Sequence, residues 1–213
     1  MPSSLFEGDV KRHEEAHQQL LNRPEGGENP YLIHLKLGDV LSKAATVVRR
    51  NDHLQEAQDT VNQLAERAQK CSLSDTGNWS NQNVFFTKSL LDMFPLAKTL
   101  LKGALARDEC RGAHFKPEFA MPSLTAETAE GRREQAVQWC DRFAKNNRKW
   151  LKSTIAMWEG EDATLSYEDV DTSLIPPRPR LYGLVGADVI EEVWAERQKA
   201  EPPEGDTAKT SNA

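Results

Sequence analysis

The strongest constraint on the fold is a series of three segments whose apolar residues recur every three or four positions. This spacing places the apolar side chains on one face of an α-helix. Helices of this kind, joined by short turns, can bury their apolar faces only against each other, so the pattern predicts a three-helix bundle similar to a spectrin repeat. The positions predicted to face the core are Leu37, Val40, Leu41, Ala44 and Val48 in the first helix, Leu54, Ala57, Val61, Leu64 and Ala68 in the second, and Phe86, Leu90, Met93, Ala97, Leu100, Leu101 and Ala104 in the third.

Local signals predict where these helices begin and end. Asn29-Pro30 reads as an N-cap followed by proline at the first helical position, where the missing N–H costs nothing. Asp52 and Gln55 match a capping box and predict that the second helix starts there. The third helix is predicted over about 83–108, and Pro95 inside it predicts a kink because proline removes one backbone hydrogen bond.

The remainder of the sequence is less regular. Residues 126–146 are helix-like but polar, and the runs 150–158 and 163–170 favour the two strands of a β-hairpin. The Pro-rich run 175–180 is expected to be extended, and the tail after about Gln198 is expected to be disordered. The predicted fold class is therefore mainly α: a three-helix bundle, an irregular segment, a further helix and a short β-hairpin. The predicted domains are 1–28 (linker or helix), 29–122 (bundle), 123–183 (insert helix, hairpin and Pro-rich extension) and 184–213 (helix and tail).

Charge and composition exclude several classes of function. Lys plus Arg number 27 and Asp plus Glu 33, and a net charge of −6 argues against a protein that tracks nucleic-acid phosphates. No apolar run approaches the roughly 18 residues of a membrane span, and the first residues lack the pattern of a secretion signal. Cys71, Cys110 and Cys140 are far apart without a CxxC pair, which is typical of reduced thiols. We therefore expect a cytoplasmic protein without a nucleic-acid partner.

Motifs that carry catalysis are weak in this sequence. His13, Glu14 and His17 form a formal HExxH match, which on a helix would place two zinc ligands one turn apart beside a general base. The match lies in a charged helix without a well-placed third ligand, so a solvated helix is the favoured interpretation. The glycines form neither a dinucleotide nor a P-loop pattern, and there is no GxSxG elbow. The sequence thus predicts no catalytic, cofactor-binding or metal-binding residue.

The segment 107–115 differs from its surroundings because alternating charges, a glycine and a histidine follow a helix end. Gly112 predicts a sharp turn at the helix exit. Arg107 and Arg111 can each donate paired hydrogen bonds to a carboxylate. One interpretation is a helix cap whose cations answer the helix dipole. The other is a docking hinge against another domain, and the residues alone leave both open.

Several separated motifs, in a fixed order, resemble one family. They are Glu25-Gly26-Gly27-Glu28-Asn29-Pro30-Tyr31, the helix with Leu37 and Val40, Val47-Val48-Arg49-Arg50, Ala104 to His114, Trp150-Leu151-Lys152-Ser153-Thr154 and Pro176 to Tyr182. Together they resemble the C-terminal helical domain of the succinate dehydrogenase/fumarate reductase flavoprotein subunit, over roughly residues 24–183. The usual family segment reads R-x-E-S-R-G-A-H; here Asp108 precedes Glu109, and Cys110 takes the place of the serine. The charged insert 122–149 is also longer than the family commonly has.

The resemblance implies a division of labour with a separate flavin domain. The family oxidises succinate, a step of the tricarboxylic acid cycle, or reduces fumarate, on FAD held by an FAD-binding domain that this sequence does not contain. Electrons then pass to an iron–sulfur subunit and, through a membrane anchor, to quinone, so this chain would reach the inner membrane only through its partners. The residues expected to dock the flavin domain are Arg107, Glu109, Arg111, Gly112 and His114. Alone, the chain is expected neither to bind FAD nor to turn over.

Two other functions compete with this hypothesis. One is a stand-alone helical adaptor that kept the bundle and lost catalysis, which the charged insert and the long tail favour slightly. The other is a zinc hydrolase, which rests only on the HExxH match. Relatives such as L-aspartate oxidase share the same bundle, so the substrate is less closely defined than the superfamily.

Overall fold

The computed structural model describes residues 3–200, which form helices and one antiparallel pair of strands. The elements are α1 (Glu7–Leu21), α2 (Pro30–Ala44), α3 (Asn51–Ala68), α4 (Gln82–Ala106), α5 (Ala129–Trp150), β1 (Lys152–Trp158), β2 (Ala163–Asp169) and α6 (Ala187–Ala200), with 3-10 turns at Ser3–Leu5 and Pro117–Phe119. Residues divide into two compact units: unit 1 is Met1–Glu118 with Ala156–Leu165, and unit 2 is Phe119–Ile155 with Ser166–Ala213. The predicted mainly helical class with a hairpin is confirmed. The predicted domain boundaries stay predictions, and most of the predicted disordered tail lies outside the described residues.

Helices α2, α3 and α4 pack together in unit 1 around one apolar core. All five core positions predicted for α3 are buried, and each fully buried Leu or Val contributes about 1.5–3 kcal/mol relative to exposure. The start of α2 is also confirmed, since the Asn29 side chain accepts a hydrogen bond from the Tyr31 N–H at 2.9 Å and Pro30 is the first helical residue. Helix α1 adds a second small cluster against α4, formed by Leu20, Leu21, Leu73 and Val84.

Two predictions at the junction of α2 and α3 are wrong. Helix α2 ends at Ala44, so Val48 lies outside it and is 53% exposed instead of facing the core. Helix α3 begins at Asn51, one residue before the predicted capping box, and its N-cap Arg50 makes no side-chain cap. The Asp52 carboxylate accepts a hydrogen bond from the next N–H, that of His53, which lowers the pKa of Asp52. The turn between the helices therefore takes up residues that the periodicity assigned to them.

The predicted core face of α4 is correct at four positions and wrong at Met93 and Leu100. Leu90, Ala97, Leu101 and Ala104 are buried, whereas Met93 is 38% and Leu100 is 47% exposed. Phe94 takes the buried place next to Met93, and Phe86 is only partly buried. Helix α4 runs continuously through Pro95, where the bend stays a prediction. Met93 and Leu100, together with Leu96 (72% exposed), line a groove of about 300 Å³ with α2, whose own lining residues are His34, Leu37, Gly38 and Leu41.

Unit 2 is built on the packing of α5 against α6 around an apolar core, to which three aromatic rings contribute. Trp139 stacks on Phe143 at 5.6 Å between ring centroids, and Phe143 meets Trp194 edge-on at 5.2 Å. The Trp139 indole N–H donates to the Pro122 carbonyl at 3.1 Å, which satisfies the polar edge of this buried ring. The predicted helix over 126–146 and the predicted hairpin are confirmed as α5 and as β1 with β2. The run 176–180 has no helix or strand, as the proline pattern predicts.

Two glycines of unit 1 are expected to respond in opposite directions to alanine. A Cβ on Gly27 would lie 2.8 Å from the Ser72 nitrogen and closer still to the Lys70 carbonyl, whereas a Cβ on Gly38 in α2 meets nothing within 4 Å. Gly27→Ala should lower the free energy of unfolding by about 1–3 kcal/mol, since backbone atoms must move. Gly38→Ala should raise it by about 0.5–1 kcal/mol because glycine is a poor helix former. Urea unfolding measures both, and the reverse order of the two variants would contradict the close approach of the 27 and 70–72 segments.

Candidate functional site

The candidate site is the segment that leaves α4, residues 107–116, called here the 107–116 loop. The helix ends because Arg107 adopts an extended conformation (φ −96°, ψ 96°). A two-residue turn follows, closed by mutual backbone hydrogen bonds between Arg111 and His114 at 2.9 and 3.0 Å. Gly112 at the first central position has φ +59°, a conformation that L-residues adopt at a cost. The predicted turn at Gly112 is thus confirmed, but it lies beyond the end of α4 at Ala106 and not at the helix exit. The turn itself, Gly112 and Ala113, is exposed.

A buried carboxylate lies under this turn. The Glu109 side chain is fully buried, and both of its oxygens accept hydrogen bonds from arginine. Arg111 donates from Nε at 3.1 Å and from Nη2 at 2.9 Å, and Arg107 donates from Nη1. Arg107 is 14% and Arg111 34% exposed at the side chain. Such a desolvated cluster fixes the loop geometry, because removal of its one carboxylate would leave two arginines without their counter-ion.

A buried lysine fastens the far end of the loop to the helix. Lys116 is 0% exposed, and its Nζ donates to the Leu105 carbonyl at 3.0 Å and to Asp108 Oδ1 at 2.9 Å. The first contact satisfies a carbonyl of the last turn of α4, which has no partner inside the helix. Asn51 at the start of α3 donates from Nδ2 to the same Asp108 oxygen at 3.2 Å. The loop is thereby tied to both α4 and α3.

His114 joins the loop to the turn between α2 and α3. Its Nε2 lies 2.8 Å from the Arg107 carbonyl oxygen, and its Nδ1 lies 2.8 Å from Arg49 Nη1. A carbonyl only accepts and a guanidinium only donates, so both contacts fit one species, the neutral ring with its proton on Nε2. Burial lowers the pKa of His114, Arg49 and Lys116 lower it further, and the Arg107 carbonyl and Glu109 act in the opposite direction.

The backbone reinforces the same junction. The Arg49 N–H donates to the Phe115 carbonyl at 2.8 Å, and the Phe115 N–H donates to the Val47 carbonyl at 3.1 Å. The Arg49 side chain also donates from Nε to Thr46 at 2.8 Å and from Nη2 to Ala45 at 3.0 Å, both carbonyl oxygens just after α2. Arg49 therefore hydrogen-bonds both the carbonyl oxygens that follow α2 and the histidine of the loop.

The structure brings all five predicted docking residues into one loop, but it turns their charged groups inward. Arg107 and Arg111 pair with Glu109, and His114 faces Arg49, so the outward surface is the Gly112–Ala113 turn and the exposed third of Arg111. The arrangement can present a fixed surface to a partner, and its docking role stays a prediction. The sequence reading missed Arg49 and Lys116. Their only signal is that each carries a cation near one end of a loop or turn, which does not indicate what it contacts.

The HExxH residues lie apart from this loop. His13, Glu14 and His17 lie on α1 and line an open surface groove with Phe6 and Val10. In the part of the chain that the structure describes, no group of three or more His, Cys, Asp or Glu side chains is arranged to hold a metal ion. Over the same residues, none of the helices combines the length and the apolar character needed to cross a bilayer.

Comparison with known families identifies one match. The sequence profile of the family described as "Fumarate reductase flavoprotein C-term" matches residues 34–182. This range includes most of α2 and all of α3, α4, the 107–116 loop, α5 and the hairpin.

Curated relatives and solved structures agree with that match. The succinate dehydrogenase flavoprotein subunit of Bacillus subtilis is 36% identical over 184 residues, which are 85% of this chain and 27% of the relative. The fumarate reductase flavoprotein subunit of Escherichia coli is 27% identical over 92% of this chain and 29% of its own length. The match to a solved Escherichia coli quinol fumarate reductase covers 86% of this chain and 28% of the chain in that structure. Its TM-score of 0.66 at 23% identity shows a shared fold. The chain thus spans less than a third of the length of these relatives.

Proposed function

The chain belongs to the family of fumarate reductase flavoprotein C-terminal domains, and on that premise we propose that it supports an FAD-binding domain in succinate or fumarate oxidoreduction. The FAD-binding domain would be supplied by a separate polypeptide or by further sequence of the same protein. FAD bound there would accept hydride from succinate or deliver it to fumarate. The part of this chain is structural: it packs against the flavin domain and holds that domain in its working geometry.

The observation that carries the docking role is the set of buried side-chain bonds that hold the 107–116 loop behind an exposed turn. Ion pairs to Glu109 and the two bonds of Lys116 hold the loop from inside, while Gly112 and Ala113 face outward. A surface that is fixed before binding loses little conformational entropy when a partner docks. Accurate positioning is also what a supporting domain contributes, since small displacements of reacting groups can cost much rate.

The exposed apolar groove between α2 and α4 supports the need for a partner. Leu96, Leu100 and Met93 are uncharged, large and exposed along one side of α4. Contiguous apolar patches on soluble proteins commonly mark interaction surfaces. The flavin domain is the partner that the family match favours for this face.

The wider assembly follows from the same proposal. Electrons from the flavin would pass to an iron–sulfur subunit and then, through a membrane anchor, to quinone. The chain would then be cytoplasmic and peripheral at the inner membrane, reached only through its partners. The competing adaptor hypothesis predicts a partner without flavin and no effect of this chain on succinate or fumarate turnover.

Arg111→Ala is expected to weaken association with the FAD-binding domain roughly tenfold or more, because arginines at protein interfaces are frequent binding hot spots. Association can be measured by calorimetric titration against the separately produced FAD-binding portion of the Bacillus subtilis relative, or that of the source organism. The variant should remain folded, since Arg107 still pairs with Glu109.

Arg12→Ala is the matched control for this titration. Arg12 lies on α1 with its side chain 70% exposed and pairs only with Asp9 among the ion pairs of the described residues. It should bind as the unchanged chain does. Equal affinities of the Arg111 and Arg12 variants, with both folded by circular dichroism, would remove the docking role of the loop.

A further inference from the structure

We propose that His114 and Arg49 form a pH-responsive latch that holds the 107–116 loop against the turn between α2 and α3. The latch is closed when His114 is neutral, with its proton on Nε2 and its Nδ1 lone pair facing Arg49. It opens when Nδ1 takes up a proton from water. Arg49 lies 65 residues before His114 in the sequence, and the latch assigns it a positioning role.

The geometry admits only one protonation state of the closed latch. Nε2 is 2.8 Å from the Arg107 carbonyl, which needs a donor, and Nδ1 is 2.8 Å from Arg49 Nη1, which needs an acceptor. A proton on Nδ1 removes the acceptor and places an imidazolium against a guanidinium in a half-buried site. Since a guanidinium does not deprotonate in proteins, the contact cannot adapt by moving the charge to Arg49.

The charges around the ring favour the neutral form. Arg49 faces it from the turn between α2 and α3, and Lys116 acts on it from the far end of the loop. Glu109 favours the charged form but is already bonded to Arg107 and Arg111. Burial is the largest influence and disfavours the imidazolium. Together these groups disfavour protonation of His114 while the latch is closed, so protonation of the ring and closure of the latch compete.

Opening would be transmitted to the backbone. Arg49 also bonds the Thr46 and Ala45 carbonyls, and its own N–H and that of Phe115 make the two backbone bonds between loop and turn. Repulsion between His114 and Arg49 therefore strains both ends of the same short connection. With the pKa of His114 lowered on folding, the contribution of the latch is complete above about pH 6.5 and is lost as the pH falls toward the lowered value.

The consequence for the partner rests on the proposed docking function: association with the flavin domain should weaken in acid as the loop loosens. The latch itself is a property of this chain and is tested without any partner. A failure of docking with an intact latch, or the reverse, is thereby distinguishable.

The test is nitrogen-detected NMR of the histidine rings in the full chain, from pH 8.5 to 4.5, with His114→Gln used for assignment. We expect the Nε2–H tautomer of His114 at pH 8 and a titration midpoint below the ordinary histidine value of 6.5. As the pH is lowered through the same midpoint, the hydrogen-exchange protection of the Arg49 and Phe115 amides, corrected for intrinsic exchange, should decrease. The latch would be contradicted by an Nδ1–H tautomer of His114, by a midpoint at or above 6.5, or by amide protection that does not change as His114 titrates.

Arg49→Met and Arg50→Met separate the latch from a structural role. Arg49→Met should raise the His114 midpoint, because it removes both a facing cation and the donor to Nδ1. The control residue Arg50 pairs with Asp52 and Glu118 instead of with the ring, so its variant should leave the midpoint unchanged. Equal midpoints in both variants would contradict the role of Arg49. If Arg49→Met does not fold, the tautomer and the amide protection of the unchanged chain decide.

Discussion

Glu109→Ala should destabilise unit 1 by about 3–5 kcal/mol, the usual cost of removing one partner from a buried ion-pair cluster. The substitution leaves the Arg107 and Arg111 guanidiniums close together, the first only 14% exposed, without the carboxylate that both of them bond. Hydrogen exchange of the α3 amides by NMR measures the loss, because these amides belong to the bundle core and report its opening.

Glu118→Ala is the matched control for Glu109. The Glu118 side chain is 41% exposed and lies 3.5 Å from Arg50, an exposed pair of the kind that contributes little. Its loss should change the opening free energy by about 0.5 kcal/mol or less. If Glu109→Ala were as mild as this control, the buried cluster would not be what holds the loop.

Leu101→Ala should cost about 3–4 kcal/mol, whereas Leu100→Ala should cost under about 1 kcal/mol. Leu101 is fully buried in the bundle core, so truncation loses its burial and leaves a cavity. Leu100, the next residue along the chain, is 47% exposed at the apolar groove. Urea unfolding of the two variants compares identical substitutions one residue apart.

Equal destabilisation by Leu100→Ala and Leu101→Ala would contradict this prediction. Equal losses would place both side chains in the core, as the periodicity of the sequence predicts and the structure contradicts. A third variant, Leu96→Ala, extends the comparison along the groove, where the residue is 72% exposed. We expect it to leave the stability of the chain unchanged and to weaken association with the flavin domain.

The difference between correct and wrong helix predictions has a physical cause. Helix α3 carries one apolar stripe on a polar background, so the buried face could be read from the spacing alone. Helix α4 carries apolar residues on two sides, and both sets repeat at helical spacing. Periodicity identifies such a helix but cannot tell which side is buried against α3 and which side stays exposed. Met93 and Leu100 belong to the exposed side, for which a docking role is proposed.

The sequence was equally unable to predict most side-chain contacts of the candidate site. The turn at Gly112 was predictable because glycine adopts a positive φ without cost, although the turn lies beyond the helix exit where the sequence placed it. The carboxylate partner of Arg107 and Arg111 was not, since the sequence left a helix cap and a docking hinge equally open and neither interpretation identifies Glu109 as the shared partner. Arg49 contacts His114 across 65 positions of sequence, a distance at which spacing carries no information.

The measurement that tests the central claim most directly is succinate-dependent dye reduction by a flavoprotein from which this domain has been removed. The Bacillus subtilis relative without its matching region serves as that flavoprotein. The truncated protein should be poorly active alone and should regain activity in a saturable way as this chain is added, while the chain alone reduces no dye. Absence of any gain at saturating chain, with both proteins folded, or dye reduction by this chain alone, would contradict a supporting role beside a separate flavin domain.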